Sequence, residues 1–551
     1  MKLNQLLYSL RLKYLLLILI NISYITNINA QIKVIDTLKI TNTKYPSNNP
    51  ISVGFTDLDD DIKNLQLLGK ISNDYSLTNR PFYTNSYLNY GKIINLIDTN
   101  LKGNHGGYHK KFFDIQLLPL TVSVKYNSHH PFGWNDGPLN FSKGLQKQYT
   151  GGIYLRILSL NIQVKPEMVD IQPKPYQTNS EWGYLSPPIK KIYYGQSFTS
   201  LNLGPFAIGV SNQNLWWGPG KYSALIMTNN APGFVHKTFR TTRPIITKIG
   251  NFEFNIISGG DLKYDSAQGL ETWELKKKVV KNGPRVINGV TISYQPKFLP
   301  NIFLGINRVF VDYTKNKYPN FIYKNIPQLL PFTKLANNDD SIARDQLLSL
   351  YSRWLFPKSN AEVYLEFGYE DASNNLRDLM LDFSHASAFI IGFKKIQKLQ
   401  NVKYLDINYE FTKMSNTPSV IQRYSSGVWY THWWNLKEGY TNANQIMGAG
   451  SGFGNNLQTF ELGINNKFNR ISLKIQQVIH NPMSIVNYNT QQLGLRKIYW
   501  NDYSVGMGFR ARFYKLLIDT RVENIISKNY LWQQDNNKFN LYGLMNITYL
   551  W

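Results

Sequence analysis

The chain of 551 residues has no cysteine. That absence excludes thiolate catalysis, disulfides, iron–sulfur clusters and Cys-ligated zinc together, and it removes the attachment point for a lipoprotein anchor. Long apolar runs are also missing. Tyr14 to Ile22 is the apolar core of the N-terminus, short of the ~20 residues a helix needs to cross a bilayer, and no later segment reads as a transmembrane helix. Acid is scarce: 35 Asp and Glu stand against 60 Lys and Arg, a net charge of +25. Frequent Lys throughout the chain accounts for this balance; an acidic partner, such as an anionic polysaccharide or lipopolysaccharide phosphates, is the other reading.

The signatures of bound cofactors are missing as well. Gly448 to Gly454 is rich in glycine but lacks the Gly-Lys-Ser/Thr ending of a phosphate loop. His129-His130-Pro131 has no carboxylate at ligand spacing, so it reads as a turn and no metal is expected. No cofactor is implied. No Ser-His-Asp arrangement stands out, and the chain is not expected to be an enzyme. Glu362, Glu366 and Glu370 share one face of an alternating segment. They could be a carboxylate pair for glycoside hydrolysis, but lumen charges are the default for such a face.

What is present begins with Lys2, Arg11 and Lys13 ahead of that short apolar run, and Asn29-Ala30 before Gln31. This is the pattern of a secretory signal peptide over residues 1–30. Export makes nucleic acid an unexpected partner. Residues 31–111 read as an N-terminal periplasmic or plug-like region. In it, Asp59, Asp60 and Asp61 mark a helix start, and Leu58, Ile62, Leu65 and Leu68 form a helical stripe that ends at Gly69.

From about Phe112 the apolar period becomes two. Val122, Val124 and Tyr126 alternate with Ser123 and Lys125; Leu405, Ile407, Tyr409 and Phe411 alternate with Asp406, Asn408 and Glu410; Ile471, Leu473 and Ile475 alternate with Ser472, Lys474 and Gln476. Turns rich in Gly, Asn, Asp and Pro separate these runs. With an export signal, the pattern predicts an all-β fold, an antiparallel transmembrane β-barrel over 112–551, because only a closed sheet satisfies every backbone group in lipid. The same length divided by ~20–27 residues per strand and connection gives about 16–20 strands. The last segment puts Leu541, Met545, Ile547, Tyr549 and Trp551 on one face, as a closing strand with its aromatic in the interfacial girdle would. Outer-membrane lipid, lipopolysaccharide and the barrel-assembly machinery are the partners this implies.

Aromatic residues make up 14% of the chain, and two clusters stand out. Trp216-Trp217-Gly218-Pro219-Gly220 places two rings at a rigid bend, since Pro219 cannot donate and the glycines admit unusual backbone angles. Asn230 and Pro232 turn the chain again just downstream. This stretch is expected to fold into the lumen. Trp429, Tyr430, His432, Trp433 and Trp434 form the second cluster, a candidate glycan surface because flat rings stack on sugar C–H faces.

Trp-Trp-Gly-Pro-Gly followed by Asn230-Ala231-Pro232-Gly233-Phe234 resembles the Wzi capsule-assembly family of outer-membrane proteins. Supporting stretches, in order, are Tyr126 to Gly137, Lys165-Pro166-Glu167, Gly195-Gln196-Ser197, Tyr294 to Lys297, Arg344-Asp345-Gln346, Arg353-Trp354, Tyr430-Thr431-His432, Gly439-Tyr440 and Gly448. The resemblance implies about eighteen strands, a partly occluded lumen, no catalytic residues, and a lectin that attaches capsular or extracellular polysaccharide at the cell surface. An outer-membrane pore for small solutes is the alternative. In this chain one short helix is expected where the family's best-known branch has a larger helical plug, and Asn444 stands where that branch has Gly.

Overall fold

The computed structural model describes residues 50–53, 58–83, 90–98, 107–110, 112–176, 188–262, 284–314, 344–370, 386–400, 403–415, 429–431, 438–481 and 498–550. The expected signal peptide, His432, Trp433, Trp434 and Trp551 lie outside them. The strands close into one antiparallel barrel of eighteen. The final strand, Lys538–Tyr549, pairs back onto Phe113–Asn127 from Tyr542↔Asn127 to Tyr549↔Leu120. Closure leaves no edge, so each wall strand has a hydrogen-bonded neighbour on both sides.

The alternation sorts side chains as lipid and water demand. On Asn469–Ile479, Ile471 is 64% exposed and Ile475 48%, whereas the residues that follow each, Ser472 and Gln476, are buried. The apolar face thus points out and the polar face points in, the reverse of a water-soluble core. Connections at one end are short, as at Leu158-Ser159, Gly204-Pro205 and Tyr514-Lys515; at the other they are long, as at 128–143 and 212–235. Short turns belong to the periplasmic side. Phe298, Trp354, Phe356, Phe513 and Tyr514 are exposed near that end, where an aromatic belt meets the headgroups.

The lumen is occupied by the chain itself. Helix α1, Leu58–Leu67, lies inside the barrel and is buried almost all round. Leu58, Ile62 and Leu65 pack on Ile93, Ile94 and Ile97 of a second helix, α2 (Tyr90–Ile97), and on Phe468 and Leu517 at the periplasmic end of the wall. The polar face of α1 meets two wall cations and one from the N-terminal insert. Arg80 Nη1 is 2.8 Å from Asp59, Lys394 Nζ 2.6 Å from Asp60, and Arg510 Nη2 2.9 Å from Asp61. The acidic first turn therefore faces three cations as well as the positive end of its own helix dipole. The short helix anticipated from sequence is α1; among the described residues α2 adds a second, and it completes the apolar face of the first.

Candidate functional site

Strands Phe206–Ser211 and His236–Thr241 pair directly, from Ser211↔His236 to Phe206↔Thr241. The connection between them, residues 212–235, leaves the rim and descends into the lumen. Its entry lies against a break in the wall. Pro166 cannot donate, and there the strand Leu160–Val164 gives way to Glu167–Pro173. Across the break, Gln196 N donates to Lys165 O (2.9 Å), Lys165 N donates to Ser197 Oγ (2.9 Å), and Gln196 Nε2 donates to Glu167 Oε1 (3.0 Å) and Asn214 Oδ1 (2.8 Å). Two stretches of the family resemblance thus clamp the root of a third.

Trp217 is fully enclosed. It packs with Leu225, Ile226, Met227 and Phe234 of its own loop against Ile257, Ile287, Val309, Leu347 and Ile390 of the wall. A Cβ at wall residue Gly289 would stand 2.9 Å from the Trp217 ring, so the glycine is the space the indole uses. Trp216 pairs with Arg80 in a short antiparallel ladder, and the Arg80 guanidinium lies 4.8 Å from its ring centre. Gly218 has φ +136°, open only to glycine, and its N–H donates to Thr78 O at 2.8 Å. The Pro219 carbonyl accepts from Lys63 Nζ and the Gly220 carbonyl from Arg80 Nη2. The bend is therefore stitched to the N-terminal insert.

Two wall carboxylates hold the loop's backbone. Glu366 accepts from Leu225 N (3.3 Å) and Ser349 Oγ (2.7 Å); Glu410 accepts from Lys221 N (2.7 Å) and from the Tyr364 hydroxyl (2.7 Å). Glu362 takes Arg353 Nε at 2.8 Å. Glu362 and Glu366 are thus engaged with the protein itself.

Residues 438–455 form a second insert and clasp the first. Asn230 Nδ2 donates to Ile446 O (3.0 Å), Asn442 Nδ2 to Pro232 O (2.9 Å), and Thr228 N to Met447 O (2.8 Å). Trp429 and Tyr430 belong to this clasp. Trp429 Nε1 donates to Ala386 O at 2.9 Å, and the Tyr430 hydroxyl donates to Leu225 O and accepts from Ala449 N, both at 2.8 Å. Neither ring has an exposed face. As residues offering a platform to sugar, Trp429 and Tyr430 are therefore corrected to packing residues. Asn444 sits with Ala443 in a two-residue hairpin turn, both at positive φ. Asn tolerates that backbone, which is why it can stand in a glycine's place.

At the long-loop end the structure gathers rings that no sequence run connects. His480 stacks on Trp500, 3.6 Å between centres and 14° between planes, and its Nε2 is 2.7 Å from Asp502. Trp500 Nε1 donates to the same carboxylate at 2.8 Å. Tyr530 and Trp532 stand edge-on to Trp500, and His130 packs on Tyr530 at 4.9 Å. His129 and His130 lie beyond the strand end, so their rings converge, Nδ1 to Nδ1 at 3.1 Å. Burial pushes His130 down to about 4, with Asp502 opposing; burial and then Lys143 and Lys538 lower His129. Tyr499 beside them is 40% exposed. The only sequence signal for this cluster is that each member flanks a strand at the same end of the barrel.

A closed barrel with an apolar exterior, a self-filled lumen and an aromatic rim defines an occluded outer-membrane barrel. The chain belongs to the Wzi family: the model of "capsule assembly protein Wzi" matches residues 149–508. Among solved structures it is similar to Escherichia coli Wzi, an outer-membrane protein involved in group 1 capsule assembly and a carbohydrate-binding β-barrel, with a TM-score of 0.61 and 13% identity over 91% of this chain and 99% of that one. Acinetobacter baumannii OccAB3 aligns at a TM-score of 0.41 and 9% identity over 79% and 98%, and Pseudomonas aeruginosa OpdQ at 0.40 and 8% over 79% and 98%. No curated protein matches the chain.

Proposed function

We propose that this protein holds capsular or extracellular polysaccharide at the cell surface through its extracellular rim, as a lectin and without catalysis. The observation that carries the reading is that inserts from both ends of the barrel occupy the lumen while aromatic rings collect at the rim. Tyr499 and Trp500 offer ring faces there, and Lys143 and Lys538 add positive charge for acidic groups on the glycan or for lipopolysaccharide phosphates. His432, Trp433 and Trp434 belong to the same proposal. Export by a signal peptide over 1–30 and insertion by the barrel-assembly machinery are part of it.

The test is a deletion strain complemented with wild-type protein or with a Tyr499→Ala, Trp500→Ala double variant. Wild type should restore cell-bound polysaccharide. The variant should insert normally yet release polysaccharide to the medium. Equal retention by a strain without the protein would end the proposal. A polar cavity beside the inserts favours a solute pore as the second reading; osmotic swelling of proteoliposomes in small sugars would support it.

A further inference from the structure

The inserts do not fill the lumen evenly. Their apolar side chains pack on the wall between Gly250–Leu262 and Ser387–Lys398, whose inward residues include Ile257, Ile287, Val309, Leu347 and Ile390. The opposite wall carries Thr121, Ser123, Thr150, Ser472, Gln476 and Asn546 on its inner face, and between it and the inserts lies a cavity of about 220 Å³. The apolar side chains of the inserts therefore sit against one arc of the wall, and the cavity lies against the other.

The chemistry of the cavity narrows its occupant. Among the described residues its lining holds six acidic and five basic side chains. The bases are largely committed to internal ion pairs: Arg80 to Asp59, Lys221 to Asp60 and Glu461, Lys474 to Glu523. An anion would meet more carboxylates than bases, with three of the five bases already paired, and a cation would have to displace a paired Lys or Arg. Hydroxyls, amides and paired charges offer both donors and acceptors, and Trp134, Trp216, Tyr222 and Tyr542 supply rings. Rings beside mixed donors and acceptors match a molecule with C–H faces and hydroxyl edges. The volume falls below the ~300–1,000 Å³ of drug-sized sites, so one ring fits better than a chain.

We infer that this lumenal cavity is a binding site for a single neutral sugar ring, separate from the rim. It goes beyond the rim lectin proposal and does not require it. Purified full-length protein in detergent is titrated with glucose, galactose and mannose, and with glucuronate and inorganic phosphate as charged controls, reading intrinsic tryptophan fluorescence and calorimetric heat. At least one neutral hexose should bind saturably and the charged probes should not. Ser472→Phe, which fills the cavity from the wall, should weaken that binding about tenfold or more; Tyr499→Ala at the rim should leave it unchanged. If Ser472→Phe disturbs folding, Ser123→Leu on the same wall gives the same readout. No saturable binding by any neutral hexose, binding by the charged probes alone, or binding that survives both filling variants would overturn the inference. Rim variants that lose polysaccharide but keep hexose binding separate it from the function proposed above.

Discussion

Gly289 and His130 show how single residues set the terms for their surroundings. A strand glycine has no side chain to pack and is a poor choice for a wall, yet Gly289 faces the Trp217 ring. Gly289→Ala would put a methyl 2.9 Å from both that ring and Val309 Cγ1. The variant should lose about 1–3 kcal/mol, read as a lower temperature of unfolding in gel-shift assays of the intact barrel. His130 is buried and neutral, held down to about 4 from 6.5. Unfolded chain takes up the proton first as pH falls, so the stability from keeping this ring neutral is complete above about pH 6.5 and drains towards pH 4. Denaturation midpoints measured from pH 8 to pH 4 should fall for wild type and flatten in that window for His130→Gln.

At the scale of elements, α1 is a helix whose every face has a task. Asp60 sits between Lys394 and Lys221, at 2.6 and 3.2 Å, and these two cations hold its carboxyl well below the usual range against the cost of burial. Its contribution is present above about pH 4 and is lost only in strong acid, as pH falls through the depressed value. Asp60→Ala leaves Lys394 buried without this partner and should cost about 3–5 kcal/mol, seen as protease cleavage of the insert in an otherwise intact barrel. The helix was legible because its stripe and acidic start are local. Helix α2 was not, since its Ile93, Ile94 and Ile97 are β-branched and make sense only against α1. The Trp-Trp-Gly-Pro-Gly bend was legible as rigid, but its partners were not: Glu366 and Leu225, which meet in the lumen, are 141 positions apart. For the same reason Trp429 and Tyr430 read as a surface platform until the fold enclosed them. The rim cluster joins residues near 129, 480, 500 and 530, and only barrel closure makes them neighbours.

For the whole molecule, the period of two carries the architecture, because lipid outside and water inside leave few alternatives for a long alternating chain. What distinguishes this barrel from a channel is what it does with its own loops. Residues 50–53, 58–83 and 90–98 occupy the lumen near the periplasmic end; 212–235 and 438–455 enter from the other and lock to each other and to the wall. The central claim is that these inserts close the lumen to current and leave the rim as the working surface. Single-channel recording of the purified protein in planar bilayers tests it most directly. Wild type should be electrically silent, and a variant lacking residues 214–232 should conduct. A steady open channel in the wild-type protein would contradict the account.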